Sequence, residues 1–373
     1  MKWCQACIQP STRPGIVLGL DGICNACNNS RRKLIEIDWG ARAQAFQRVI
    51  ENAMLRSNRF DCVIPVSGGK DSTWQVVKCL QSGLRPLAVT WKTPARTAIG
   101  QRNLDNLVQL GVDHVDWQVN PEVEKRFLVK AFERHGATAI PMHMAMFNIP
   151  LSIAVRFKIP LVVWGENSAF EYGSGGDDSL AGHCLDANWL RHYGVTHGTT
   201  ARDWIDADLS EKDLSSYFGP NDAELDHANV SAIFLGHYFA WDVATSLQVA
   251  REHGFTSNDA PRTGIYEYAD IDDDFISIHH WMKWYKFGMT RSFDNLSLEI
   301  RAGRTTRSQA LEIIRKNGEE RPHEDISRFC AFTGISEQRF HQIAEVHRNQ
   351  EIWQKHGVVW RMRNFIIPDW NWT

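Results

Sequence analysis

The sequence has no long apolar run. None of its hydrophobic stretches approaches the roughly 20 residues a membrane-crossing helix needs, so no span is expected. Its opening residues, Met1-Lys2-Trp3-Cys4, lack the apolar core of an export signal. It also has little net charge, −3 from 41 basic and 44 acidic side chains. That balance excludes a general electrostatic attraction to nucleic acid or to an anionic membrane. No internal repeat and no low-complexity tract is present, which excludes solenoids and disordered tails.

What is present is ordinary for a globular chain: 373 residues, 43% hydrophobic and 23% charged, enough for two or three domains and a sizeable core. Eight cysteines in a chain of this length without an export signal do not form a disulfide framework, and a cytoplasmic protein is expected. Fifteen tryptophans are many, but most tryptophans are large core residues. Four cysteines stand apart. Cys4-x2-Cys7 is followed after sixteen residues by Cys24-x2-Cys27, the spacing of a Cys4 zinc site, with Pro10, Pro14, Gly15, Gly19 and Gly22 turning the chain between them. A closed site of this kind is structural, because no coordination position is left open for chemistry.

The chain is organised around Ser67-Gly68-Gly69-Lys70-Asp71-Ser72. Residues 60–66 before it are apolar and β-branched and read as a buried strand. Thr73, Val76, Val77 and Leu80 after it share one face of a helix, with Gly83 at its end. Such a strand–turn–helix presents unpaired N–H groups at a positive helix end, an arrangement that holds phosphate. The loop matches neither the nucleoside-triphosphatase pattern G-x-x-x-x-G-K-[ST] nor the dinucleotide pattern G-x-G-x-x-G. Its letters S-G-G-x-D-S resemble those of the PP-loop ATP pyrophosphatases, and that resemblance implies cleavage of ATP to AMP and pyrophosphate, with adenylylation of a substrate oxygen.

Strands read at 60–66, 86–91, 113–119 and 160–164, with helices at 72–82, 99–110, 121–135 and about 148–157 between them. Strand–helix alternation with apolar strands predicts an α/β fold, a doubly wound parallel sheet of the PP-loop (HUP-like) kind, covered on both faces. In such sheets ligands bind beyond the carboxyl ends of the strands. Three groups fall there: loop 67–72, then Thr90-Trp91-Lys92, then Gly165-Glu166-Asn167. Glu166 and Glu171 are open to reading as metal ligands, general bases, sugar-hydroxyl acceptors or solvated loop carboxylates. The Gly- and Asp-rich stretch 173–182 reads as a mobile or ligand-ordered loop. Residues 203–226 read as an acidic surface excursion, and 230–235 as a strand or the start of a helix. Arg31-Arg32-Lys33 reads as a solvated face. Asp270–Asp274 is an acidic cluster ahead of His279-His280. Arg291, Arg301, Arg304 and Arg307 make a cationic segment suited to phosphate or carboxylate, or equally to a salt-bridged helix face. Helices 306–316 and 337–347 follow.

Taken together these stretches resemble the N-acetyl sugar amidotransferases of bacterial surface-polysaccharide and O-antigen synthesis. The resemblance rests on Cys4, Cys7, Cys24 and Cys27, on Ser67 to Ser72, and on Trp164-Gly165-Glu166-Asn167 with Glu171-Tyr172-Gly173. It also rests on Lys283-x-x-Lys286-Phe-Gly and on Glu299-Ile300-Arg301-x-Gly303-Arg304-x-x-Arg307. It implies five regions: a zinc ribbon at 1–32, a connecting helix at 33–58, a PP-loop domain at 59–205, a substrate-binding extension at 206–300 and a helical region at 301–373. It also implies conversion of a sugar's acetamido group to an acetamidino group, through an adenylylated amide oxygen attacked by ammonia. Ser67, Gly68, Gly69, Lys70, Asp71, Ser72, Thr90, Trp91 and Gly165 would bind ATP and its pyrophosphate, Lys70 and Asp71 being catalytic and Asp71 holding Mg²⁺. Glu166, Asn167, Glu171, Tyr172, Lys283, Lys286, Arg291, Arg301 and Arg304 would bind a nucleotide sugar. The chain shows no nucleophile elbow, and Cys184 and Cys330 lack a partner motif. Separate glutaminase and synthase-type subunits like those of histidine biosynthesis are therefore the implied ammonia source. The alternative reading is a tRNA-thiolating PP-loop enzyme, which needs a basic surface and catalytic cysteines that the sequence does not offer.

Overall fold

The apolar runs become parallel strands in the computed structural model, which describes residues 1–173, 185, 189–190 and 195–372. The strands are β1 (Cys62–Pro65), β2 (Pro86–Trp91), β3 (Asp113–Trp117), β4 (Leu161–Trp164) and β5 (Ser231–Phe234). They form one sheet in the order β3-β2-β1-β4-β5, every pairing parallel. Side chains alternate along each strand. Val63, Val162 and Trp164 pack on one face with Phe127, Ala131, Phe147 and Ile153. Cys62, Ile64, Leu161 and Val163 pack on the other with Phe46, Ile50, Trp74 and Leu104. Both faces of β1 and β4 are thus buried, as near-continuous apolar strands require, while the edge strand β3 is exposed or half-buried along its length. Residues 230–235 resolve into both readings, since β5 runs directly into a short helix, Leu235–Tyr238.

The helices from the N-terminus to just past β4 are α1 (Asn25–Ile35), α2 (Trp39–Arg56), α3 (Lys70–Gln81), α4 (Ala98–Val108), α5 (Pro121–His135), α6 (Ile140–Phe157) and α7 (Ser168–Tyr172). Side-chain caps mark three of these starts, Asp38 before α2, Thr97 before α4 and Asn120 before α5, and the loop glycines precede α3. α1 and α7 are not expected from the sequence, and α6 begins eight residues before the expected start. Pro150, which would fall in the first turn of a helix starting at about 148, lies inside the helix. An interior proline costs about 3 kcal/mol. Burial of Met144, Phe147, Leu151 and Ile153, at roughly 1.5–3 kcal/mol each, exceeds that cost.

The C-terminal region is helical, with Ile276–Phe287, Arg291–Arg301, Arg307–Asn317, His323–Thr333 and Glu337–Val346. It adds an antiparallel hairpin not expected from the sequence, Trp353–His356 with Val359–Met362. Trp284, Trp353, Phe365, Trp370 and Trp372 pack there ring against ring, so these tryptophans are core. Residues 1–24 dock on this region: Trp3 stacks on Phe293 at 5.5 Å, and Ile8 joins Trp284, Phe293 and Met362 in one core. Cys184 and all of 173–182 except Gly173 lie outside the described residues. Among the described residues no helix is long and apolar enough to cross a membrane.

Candidate active site

The four N-terminal cysteines converge as their spacing predicts. Their ligand atoms lie within 4.8 Å of one another and all are buried. Sγ pairs stand 4.0 Å (Cys4–Cys27) and 3.7 Å (Cys7–Cys24) apart. Bonds of about 2.3 Å to a tetrahedral zinc put sulfurs about 3.8 Å apart, so the donor set fits that ion. Backbone amides of Cys7 and Cys24 donate to the Cys4 sulfur at 3.4 and 3.2 Å, bracing it as an anionic ligand.

Loop 67–72 leaves β1 at the point where the strand order reverses, β2 lying to one side and β4 to the other. α3 starts at Lys70 with Gly69 as a cap that offers no side chain, so its first-turn amides are not capped from within. Gly68 has φ +90°, and a Cβ there would lie 2.7 Å from the Leu104 amide nitrogen on α4. At Gly165 a Cβ would fall 2.3 Å from Gln75 Nε2 on α3, so the Gln75 side chain would have to move.

Two cavities meet at this loop. The smaller, about 220 Å³, runs from Gly69, Lys70 and Asp71 to Tyr172, Trp241, Tyr266, Arg291 and Asn295. The larger, about 460 Å³, runs over Thr90, Trp91, Trp164, Gly165 and Phe147 to His143, His279 and His280. The larger lies in the roughly 300–1,000 Å³ range of small-molecule sites. Ser67, Asp71, Ser72, Glu166, Asp270 and Asp272 line both.

Within the loop, Lys70 Nζ pairs with Asp71 at 2.6 Å, and Trp241 Nε1 donates to the other Asp71 oxygen at 3.0 Å. Ser72 Oγ accepts from the Ser67 amide at 3.0 Å. Asp272 accepts from the Ser67 side chain, and its burial raises its carboxyl above the usual range. Burial, and then the Asp71 charge, push Glu166 up to about 7. Burial resists ionisation of Asp270, yet Arg291 and His280 beside it hold its carboxyl well below the usual range. Arg291 Nε meets Asp270 at 2.9 Å.

The structure gathers most of the expected nucleotide residues here: Ser67, Gly69 to Ser72, Thr90, Trp91 and Gly165 line one cavity or both, with Gly68 under the loop. It spreads the expected substrate residues more widely. Glu166, Tyr172 and Arg291 line the cavities, and Asn167 is buried next to Glu166. Glu171 instead pairs with Lys33 at 2.6 Å, which also takes Lys33 out of the solvated face expected of residues 31–33. Lys283 pairs with buried Asp294 at 2.9 Å, and Lys286 donates to the His135 carbonyl at 2.9 Å. Arg301 donates to the Glu171 carbonyl at 3.1 Å, and Arg304 is shared between Glu299 (2.6 Å) and Asp242 (2.8 Å). Those four cations are engaged with the protein itself.

Asp270, Asp272, Trp241, Tyr266 and the three histidines are site residues that sequence reasoning did not assign to the site. The acidic run ahead of His279-His280 was the signal for Asp270 and Asp272, because the run follows a loop that returns to the sheet ends. For Trp241 and Tyr266 nothing local distinguished them from core aromatics.

Residues 263–366 match a family model described as LPS biosynthesis protein WbpG-like, C-terminal domain. No curated protein matches the sequence closely. Among solved structures, that of NMN synthetase from Francisella tularensis is similar at 12% identity and TM-score 0.34, covering 83% of this chain and 96% of that one. At that score the likeness bears on no residue's role. The matched segment contains Tyr266, Asp270, Asp272, Arg291 and Asn295, the wall that faces loop 67–72. The family resemblance read from the residues is supported where it can be compared: from Thr263 to Ile366 the chain is similar to the C-terminal domain of WbpG-like lipopolysaccharide-biosynthesis proteins.

Proposed function

We propose that the protein is an ATP-dependent amidotransferase that converts an acetamido group of a nucleotide-activated sugar to an acetamidino group. The observation that carries this reading is the shared cavity: one wall is the S-G-G-K-D-S loop, and the other is the segment similar to a lipopolysaccharide-biosynthesis domain. An amide oxygen is a poor leaving group. Its attack on the α-phosphorus of ATP forms an O–P bond and releases pyrophosphate. Ammonia then adds to the carbon and AMP leaves, giving C=N.

The smaller cavity suits the pyrophosphate. Lys70 and Arg291 line it with the start of α3, and these groups would donate to the negative charge that develops. Asp71 would hold Mg²⁺, an ion that takes few carboxylates together with phosphate oxygens. The larger cavity suits adenosine and the sugar, with Trp91 and Trp164 as apolar surfaces and Glu166, Asp272 and Asp273 as hydroxyl acceptors. Ammonia would come from a separate glutaminase, or from ammonium salt in the assay.

The test is mass spectrometry of UDP-diacetamido sugars after incubation with the protein, ATP, Mg²⁺ and ammonium. A product lighter by the difference between O and NH, formed one-for-one with AMP, is expected. AMP release without that product, or sulfur incorporation into tRNA, refutes the reading.

A further inference from the structure

Three histidines on the larger cavity, His280 buried and His143 and His279 half-buried, take no part in the steps above. His143 comes from α6, and His279 and His280 come from the helix Ile276–Phe287. Their rings stand 6.1 Å (His143–His279) and 5.3 Å (His279–His280) apart. His143 is tied through Nδ1 to the Ala139 carbonyl at 2.7 Å. His280 differs. It is 6% exposed, and neither ring nitrogen makes a well-formed hydrogen bond among the described residues. Its Nε2 lies 3.4 Å from Asp270 Oδ1, while Arg291 Nε braces the other Asp270 oxygen at 2.9 Å.

Two further observations single out this pair. Asp270 holds φ +54°, a left-handed backbone that a non-glycine residue adopts at a cost and that clusters at functional sites. Asp270 also lines both cavities, and the His280 ring lines the larger one beside it. Arg291, Asp270 and His280 repeat the logic of a base oriented by a carboxylate that is itself held.

We propose that His280, oriented by the Arg291-braced Asp270, is the base that takes a proton from the nitrogen nucleophile as it attacks the adenylylated amide carbon. The proposal rests on the amidotransferase reading above. The nitrogen lone pair forms the C–N bond and leaves a tetrahedral carbon bearing an ammonium group. His280 accepts one proton from that nitrogen. The C–O bond then breaks, its electron pair leaves with AMP, and the amidine remains. The imidazolium returns its proton to solvent, and nothing is oxidised or reduced.

The charges facing His280 are Asp270 from the preceding loop, Lys283 one turn on and Arg291 from the next helix, with Asp272 and Asp273 on the same cavity. Burial, and then Lys283, bring the imidazole down to about 4, so the ring is neutral and able to accept before attack. Asp270 favours the imidazolium once it forms.

The experiment separates the two half-reactions. His280→Gln, His280→Ala and Asp270→Asn are compared with wild type in sugar-dependent ATP–pyrophosphate exchange, which needs no nucleophile, and in amidine formation from ammonium. UDP-diacetamido sugars are the probe. Exchange is expected to stay within about 2-fold in the His280 variants, while ammonia-driven turnover falls about 10²–10⁴-fold. Hydroxylamine, whose adduct sheds its proton more easily, should recover turnover, and added imidazole should rescue His280→Ala. Equal loss of both half-reactions, an unchanged ammonia step, or failure of both rescues overturns the proposal. A wild-type protein that neither exchanges pyrophosphate nor forms amidine overturns the amidotransferase reading and this proposal with it. A wild type that does both, alongside an unaffected His280→Gln, overturns this proposal alone.

Discussion

Asp294→Asn tests how the N-terminal cysteine knuckles are joined to the rest of the molecule. Asp294 is fully buried and holds two cations, Arg13 at 2.7 Å and Lys283 at 2.9 Å, while Gln9 Nε2 donates to it at 3.0 Å. Removing one member of a buried ion pair costs about 3–5 kcal/mol, since the partner is left charged without compensation. Arg13 and Lys283 are each 16% exposed, so water recovers part of the loss and the lower figure applies. At about 2 °C per kcal/mol for a chain of this size, the melting temperature should fall by about 6 °C. The effect should also be local. Arg13 ties the cysteine knuckles to Arg291–Arg301, so Cys4, Cys7, Cys24 and Cys27 should react faster with a thiol reagent. Cys62 and Cys79, fully buried in the sheet domain, serve as the internal control. Acid should erase the difference between variant and wild type. Burial opposes ionisation of Asp294, but Arg13 and Lys283 outweigh it and hold its carboxyl well below the usual range. The stabilisation is therefore complete above the unfolded carboxyl value and lost as pH falls through the folded one. A variant within 1 kcal/mol of wild type, with unchanged thiol rates, would refute the claim that this buried charge docks the knuckles.

Gly68→Ala should abolish nucleotide binding and cost about 1–3 kcal/mol, because the residue needs φ +90° and its Cβ would strike Leu104 N; ATP-induced thermal shift and urea melts read both. Glu124 is 2% exposed, and burial, then the Asp273 charge, push it up to about 8. A raised carboxyl stabilises the fold at low pH and loses that contribution as pH rises through the folded value. Wild type should therefore lose several kcal/mol between about pH 5 and 8, and Glu124→Gln should flatten the curve; identical urea midpoints across that range would sink the assignment. Chelation under mild denaturant should release one zinc per chain and red-shift the fluorescence of Trp3, which packs on Phe293 and Phe365. A metal-free protein with unchanged fluorescence would remove zinc from the account.

The sheet was legible because its strands are short apolar runs separated by cap and turn residues. Asn120-Pro121 fixed the start of α5, and Gly136, left-handed at φ +57°, marks its end. Loop 67–72 was legible from its letters, and its geometry adds that Gly68 is demanded by backbone and packing while Gly69 has φ −68° and an uncrowded Cβ position. What was not legible is long-range. No local pattern tells that Gln9, Arg13 and Trp3 would meet residues 293–294 almost 290 positions away, or that Glu171 would meet Lys33. Arginine spacing likewise shows that a helix carries charge, not which carboxylate neutralises it.

A cationic C-terminal segment reads from the sequence as a grip on an anionic sugar, yet Lys283, Lys286, Arg301 and Arg304 all have partners within the protein. Arg291, which does reach a cavity, is bound to Asp270. Facing the cavities instead are Asp71, Glu166, Asp270, Asp272 and Asp273, with Lys70 and Arg96 as further cations. Arg96 in turn pairs with Asp116 at 2.6 Å. A triphosphate entering such a space is opposed by the carboxylates unless it arrives with a divalent cation, so ATP binding should depend steeply on Mg²⁺. The same walls favour a ligand that offers hydroxyls and, after reaction, an amidinium cation. The charge of the site therefore suits the product of the proposed chemistry at least as well as its anionic substrate.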